Sequence, residues 1–129
     1  MIFIDFTTIR DNVIIETGTI AAKIVTASWT NILTYTIPED GIYLIWGKGT
    51  RGNNSADGFL VFMRFRLDSV LIEETIVPTV KNYLGNVENI TTLFGVAKCT
   101  AGQSLTIDEK KDKDVGPSLG LDYTIAKIY

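Results

Sequence analysis

Trp29-Thr30-Asn31-Ile32-Leu33-Thr34-Tyr35-Thr36-Ile37-Pro38-Glu39-Asp40-Gly41-Ile42-Tyr43-Leu44-Ile45-Trp46-Gly47 reads as strand, tight turn, strand. β-Branched and aromatic residues dominate both arms, which suits a pleated, half-buried surface. Pro38 presets φ for a turn, Asp40 tolerates turn geometry, and Gly41 is free to take a positive φ. Glu39 and Asp40 stand side by side at that turn and point apart, so they read as turn chemistry and not as an acid–base pair.

The same period-two pattern extends outward. In Phe59-Leu60-Val61-Phe62-Met63-Arg64-Phe65-Arg66-Leu67 one face carries Phe59, Val61, Met63, Phe65 and Leu67. The other begins apolar, with Leu60 and Phe62, and turns basic with Arg64 and Arg66. The closing segment alternates likewise, with Leu121, Tyr123, Ile125 and Tyr129 on one face. Further strands are expected at Ile2–Phe6, Val13–Glu16, Ala22–Val25, Val70–Val77, Asn89–Lys98 and Ser104–Asp108. Turn signals separate them at Thr17-Gly18, Asp57-Gly58, Ala101-Gly102 and Gly116-Pro117. A single helical turn is the most that Val80–Val87 would hold. Many short strands with regular turns predict an all-β, two-sheet antiparallel sandwich or jelly roll.

The chain has 129 residues, enough for one domain with a real core, and no linker or repeat divides it. Apolar residues make up 46%, and the mean hydropathy is +0.20. A small interior cannot absorb all of that, so part of it is expected at a subunit contact. The net charge of -3 argues against a general nucleic-acid binder, which needs a basic patch. Cys99 is the lone cysteine, so no intrachain disulfide is expected. Histidine is absent, which removes the commonest metal ligand and the usual general base. No cofactor is expected and no enzymatic role. No apolar run reaches the ~18 residues needed to span a membrane. Met1–Phe6 lacks the basic start of a secretory signal, so synthesis in a cytoplasm without export is the expectation.

Four features are candidates for chemistry. Gly47-Lys48-Gly49-Thr50-Arg51-Gly52 matches G-x-G-x-x-G, but loop-forming residues follow it where a dinucleotide site needs a helix. It reads as a glycine-rich loop in which Lys48 and Arg51 could meet an anion. Asp108-Glu109-Lys110-Lys111-Asp112-Lys113-Asp114 reads as a solvated mixed-charge loop, since its lysines oppose a divalent cation. Any calcium would be tested first at Asp57, Asp112 and Asp114. Cys99 ends an alternating strand and reads as a small buried residue. Arg64 and Arg66, two apart on one face, are suited to hold a carboxylate across the sheet or an acidic sugar.

Trp29, Gly41 and Tyr43, then Arg66-Leu67-Asp68 with Leu71-Ile72, then Leu93–Lys98, Ala101–Ile107 and Thr124–Ile128, occur in an order that resembles the jelly-roll superfamily of tumour necrosis factor and the complement globular head. The flavour is closest to versions carried by bacteriophage structural proteins. Gln103 and Ser69 depart from that pattern, standing where Asp and Gly are common. The resemblance implies a homotrimer that acts by binding, on a phage fibre, spike, tail or head decoration. The partners it implies are other virion proteins or a host-surface glycan, and the location it implies is the virion. Candidate ligand loops are Lys48, Arg51, Asn53, Asn54, Asp57, Lys110, Lys111 and Asp112. Tyr43, Phe62, Tyr123 and Tyr129 are candidates for the trimer interface. Residues 1–20 are expected to form an extra strand or a docking arm, with Ile2, Phe3, Ile4 and Phe6 as its contacts. The alternative is a bacterial carbohydrate-binding or adhesion module.

Overall fold

A computed structural model describes residues 14–51, 60–75, 79–80, 91–112 and 119–129. All regular structure among these residues is strand: β1 Ile14–Lys23, β2 Thr30–Thr36, β3 Gly41–Arg51, β4 Leu60–Leu67, β5 Val70–Glu74, β6 Thr79–Val80, β7 Thr91–Cys99, β8 Ser104–Lys111 and β9 Leu119–Lys127. One sheet runs β1-β9-β3-β7, and the other runs β2-β8-β4-β5 with β6 added to β4. Every pairing is antiparallel. The chain crosses repeatedly between the sheets, and its last strands return to pair beside its first. Eight main strands in two such Greek keys make a jelly-roll sandwich.

Alternation explains the layering. Tyr43 and Ile45 from β3, Val61, Met63 and Phe65 from β4, Leu105 and Ile107 from β8, and Leu119, Leu121 and Ile125 from β9 face inward and are buried. Each large side chain so enclosed contributes about 1.5–3 kcal/mol. Cys99 joins this core as a small buried residue, and burial pushes its thiol pKa up.

Several elements run further than their sequence suggests. Thr17-Gly18 is not a turn: it lies inside β1, opposite Thr124 and Tyr123. Gly47–Arg51 is not a loop but the second half of β3. Its glycines answer to crowding across the sandwich. A Cβ on Gly47 would lie 2.9 Å from Met63 Sδ, and one on Gly49 would lie 2.9 Å from Glu109 Oε1. Asp108–Lys111 likewise belongs to β8. Its charged residues are built into the two faces of a strand, with Asp108, Glu109 and Lys111 all buried.

The Pro38–Gly41 connection does turn the chain, though Gly41 does not supply a positive φ. The place is tight instead, because a Cβ there would sit 2.5 Å from the Tyr129 carbonyl oxygen. The Asp40 carboxylate accepts a 2.8 Å hydrogen bond from the Ala101 amide, tying this turn to the β7–β8 turn. The positive φ angles fall at Gly102, as the Ala101-Gly102 signal implies, and at Asp68 and Ser69. That pair forms the two-residue hairpin between β4 and β5, whose favoured turn needs positive φ at both central residues. Of the expected extra strand or arm over residues 1–20, the described part, Ile14–Ile20, is strand and pairs with β9, while Ile2–Phe6 and nearly all of Val80–Val87 lie outside the described residues.

Candidate ligand-binding face

The outer face of the β2-β8-β4-β5 sheet gathers the polar chemistry of the molecule. Residues of β4 that point away from the core are Phe62, Arg64 and Arg66, and β8 contributes Thr106, Asp108 and Lys110 beside them. Register aligns Arg64 with Asp108 and Asp108 with Asn31 of β2, making one row across three strands. Exposed Glu74 of β5 continues that row beyond Arg64.

Asp108 is the centre. Its residue is only 1% exposed although it lies on an outer face, because its neighbours cover it. Arg64 Nε donates to Asp108 Oδ2 at 2.8 Å. Arg66 Nε lies 3.0 Å from the same oxygen, but without hydrogen-bond alignment, and it has no other acceptor. The contact is therefore an ion pair without a directed bond. Asn31 Nδ2 donates to Asp108 Oδ1 at 3.2 Å, and Thr34 Oγ1 donates to Asn31 Oδ1 at 3.1 Å. Arg64 and Arg66 thus do hold a carboxylate across the sheet, as their spacing suggests.

An aromatic–cation stack borders this cluster. The guanidinium carbon of Arg64 lies 4.4 Å from the centroid of the Trp29 ring. Lys110 Nζ lies 4.7 Å from the same ring and 5.1 Å from that of Phe62. These distances are within cation–π range. Trp29 and Phe62 both remain half-exposed. Trp29 precedes β2 directly, and the strand start aims it back over β8 and β4.

The opposite side of β8 is different. Glu109 is fully enclosed between the sheets, and neither carboxylate oxygen has a hydrogen-bond partner. Burial pushes its pKa up to about 8. Consecutive residues of a strand face opposite ways, so Asp108 and Glu109 are separated by the sheet itself.

The other sheet turns an apolar face outward. One row across it is Ile15, Ala126, Leu44 and Val96, and the next is Thr17, Thr124, Trp46 and Phe94. Ile15, Phe94 and Val96 are each more than half exposed. Lys48 and Asp122 pair at one border of this patch, where Thr19 Oγ1 donates to Asp122 Oδ1, and Lys98 stands at the other.

Those of the expected ligand-site residues that are described are therefore not brought together. Lys48 lies on the apolar sheet, Lys110 on the outer face of the opposite sheet, and Lys111 in the interior. Asp112 uses its carboxylate to accept the Leu60 amide at 2.8 Å. Arg51 ends β3, and Asn53, Asn54, Asp57 and Asp114 lie outside the described residues. Among the described residues no acidic or sulfur cluster is arranged to hold a metal. Tyr43 and Tyr123 cannot serve a trimer interface: both are buried in the monomer core, and the Tyr43 hydroxyl donates to the Glu39 carbonyl at 2.8 Å. Phe62 lies beside Lys110 on the charged face, and Tyr129 is exposed at the carboxyl end. Ile2, Phe3, Ile4 and Phe6 lie outside the described residues.

Neither family models nor curated proteins match the sequence. Solved structures do match the fold. The C-terminal CBM6 of LamC, a marine laminarinase from Zobellia galactanivorans, aligns over 88% of this chain and 87% of its own, at 17% identity and a TM-score of 0.45. A carbohydrate-binding module from Cellvibrio mixtus lichenase 5A, in complex with cellotriose, aligns over 88% and 86% at 18% identity and a TM-score of 0.38. Both are loose likenesses of a similar sandwich.

Proposed function

We propose that the protein is a non-enzymatic binding module that takes a glycan on the outer face of the β2-β8-β4-β5 sheet. The observation that carries this reading is the half-exposed Trp29 and Phe62 flanking fixed polar groups of Asn31, Arg64 and Lys110. Sugars present an apolar ring face and a rim of hydroxyls, and such a surface offers both kinds of contact. Strands hold these groups more rigidly than loops would, which lowers the ordering cost of binding.

One geometric point supports the non-enzymatic part of this reading. Glycoside hydrolysis needs two carboxyl groups flanking one bond. Asp108 is committed to two arginines on one side of β8, and Glu109 is sealed on the other. This pair of carboxylates cannot reach a common substrate.

Binding to a panel of neutral and acidic oligosaccharides, measured by calorimetry, tests the reading. At least one should bind without turnover, and Trp29→Ala should weaken that binding about tenfold or more, as truncation of a central aromatic usually does. A panel with no binder, or sustained hydrolysis, would overturn it.

The apolar outer face of the β1-β9-β3-β7 sheet supports self-association, and a homotrimer on a virion is the assembly we put forward. Contiguous exposed apolar surface of this kind is uncommon on monomers. Light scattering should return three times the 14.3 kDa subunit mass, and Phe94→Glu should return a single subunit. A monomeric wild type would leave a lone carbohydrate-binding module.

A further inference from the structure

The charged face has more cation than its buried carboxylate can use. Arg64, Arg66 and Lys110 lie on it, and among the described residues Asp108 is the one acid enclosed among them. Both guanidiniums approach the same oxygen, Oδ2, while Asn31 occupies Oδ1. One carboxylate oxygen does not satisfy two forks. Arg64 takes the aligned bond, and Arg66 Nε is left buried, charged and undirected. Among the described residues of this cluster Lys110 meets the Trp29 and Phe62 rings, which attract a cation but do not neutralise it. Among the described residues the next acid by register is exposed Glu74, across from Arg64 and away from Lys110. Burying a donor without an acceptor is costly, and keeping like charges together adds to that cost.

We infer that the glycan this face takes is acidic, with a carboxylate or sulfate on the sugar that meets the exposed side of the Arg64, Arg66 and Lys110 cluster. This rests on the glycan-binding reading above and names its ligand class. The buried Arg66 Nε is out of a ligand's reach, but an oxyanion would meet the exposed part of the Arg66 side chain and would offset the surplus positive charge. Arginine forks match planar carboxylates and tetrahedral oxyanions in two-point contacts. The sugar ring would lie toward Trp29 and Phe62.

The test uses matched pairs: an oligouronate and its carboxyl-reduced counterpart, and a sulfated oligosaccharide and its desulfated counterpart. Calorimetry at two salt concentrations should give at least one acidic member about tenfold or more tighter binding than its neutral partner, weakening as salt rises. Arg66→Gln should abolish that preference with the melting temperature held close to wild type. Lys110→Gln, which leaves the contacts of Asp108 intact, should reduce it even if the Arg66 variant fails to fold. Equal affinity for acidic and neutral members would overturn the inference while leaving glycan binding in place. Failure of every oligosaccharide to bind would remove both. Equally tight binding of an acidic peptide of the same charge would also overturn it, because the face would then read charge without sugar.

Discussion

Between pH 5 and pH 8 the wild-type protein should lose several kcal/mol of stability, and Glu109→Gln should lose almost none. The unfolded chain releases the Glu109 proton near the ordinary carboxyl value of roughly 4.3. The folded chain holds it up to about pH 8, because burial disfavours the charge. Across that window the folded state therefore binds more protons than the unfolded state, and stability falls as pH rises. The penalty is absent below about pH 4 and complete above about pH 8. Each unit of displacement is worth ~1.36 kcal/mol, which puts the total near 4–5 kcal/mol, large against the ~5–15 kcal/mol of a typical domain. The background is unusually clean, since the chain has no histidine to titrate in the same range. Urea unfolding at pH 5, 6.5 and 8.5 reads the effect directly. Parallel pH dependence in wild type and variant would show that Glu109 is solvated or partnered in solution.

Removing Asp108 should do the opposite. Asp108→Ala leaves Arg64 and Arg66 without the carboxylate they share, on a face where their side chains are 21% and 28% exposed. Breaking a largely buried pair by deleting one partner costs about 3–5 kcal/mol, and partial exposure of the arginines argues for the lower end. A fall in melting temperature of roughly 10 °C follows for a domain of this size. Asp108→Asn retains the shape and an oxygen for Asn31 but not the charge, and it should recover only a minor part. Thermal unfolding of the two variants settles the point: a drop below about 1 kcal/mol in both would mean that water already compensates the guanidiniums.

Much of the sandwich was legible because burial imposes a period of two. The alternation from Val61 to Leu67 assigns the inner and outer faces of β4 correctly, and it marks Arg64 and Arg66 as carboxylate holders. Reading stopped where another force wins. Gly47 and Gly49 look like loop residues, yet they are strand residues that make room for Met63, Phe65 and Glu109. Asp108 to Lys111 look solvated by composition, yet β8 carries them into the molecule. Nothing local separates a charge run that ends in water from one that ends inside a sheet; the partners lie more than forty residues away on other strands. The candidate face was half visible for the same reason. Its arginines alternate on their own strand, while Trp29 and Asp108 join them only through pairing. Tyr43 and Tyr123 carried the opposite error, since aromatic size suits a core as well as a contact.

The two outer faces of the sandwich point in opposite directions, one apolar and one charged. Copies joined through Ile15, Leu44, Trp46, Phe94 and Val96 would therefore turn every Trp29–Asp108 face outward, with none hidden by the joint. Such an arrangement makes avidity available. A single face with weak, millimolar-scale sugar affinity would hold a glycan-coated surface firmly once several faces engage together, since each later contact forms at a high effective concentration. Strength of attachment would then be set by how many copies assemble, and single contacts could stay weak enough to release and re-form.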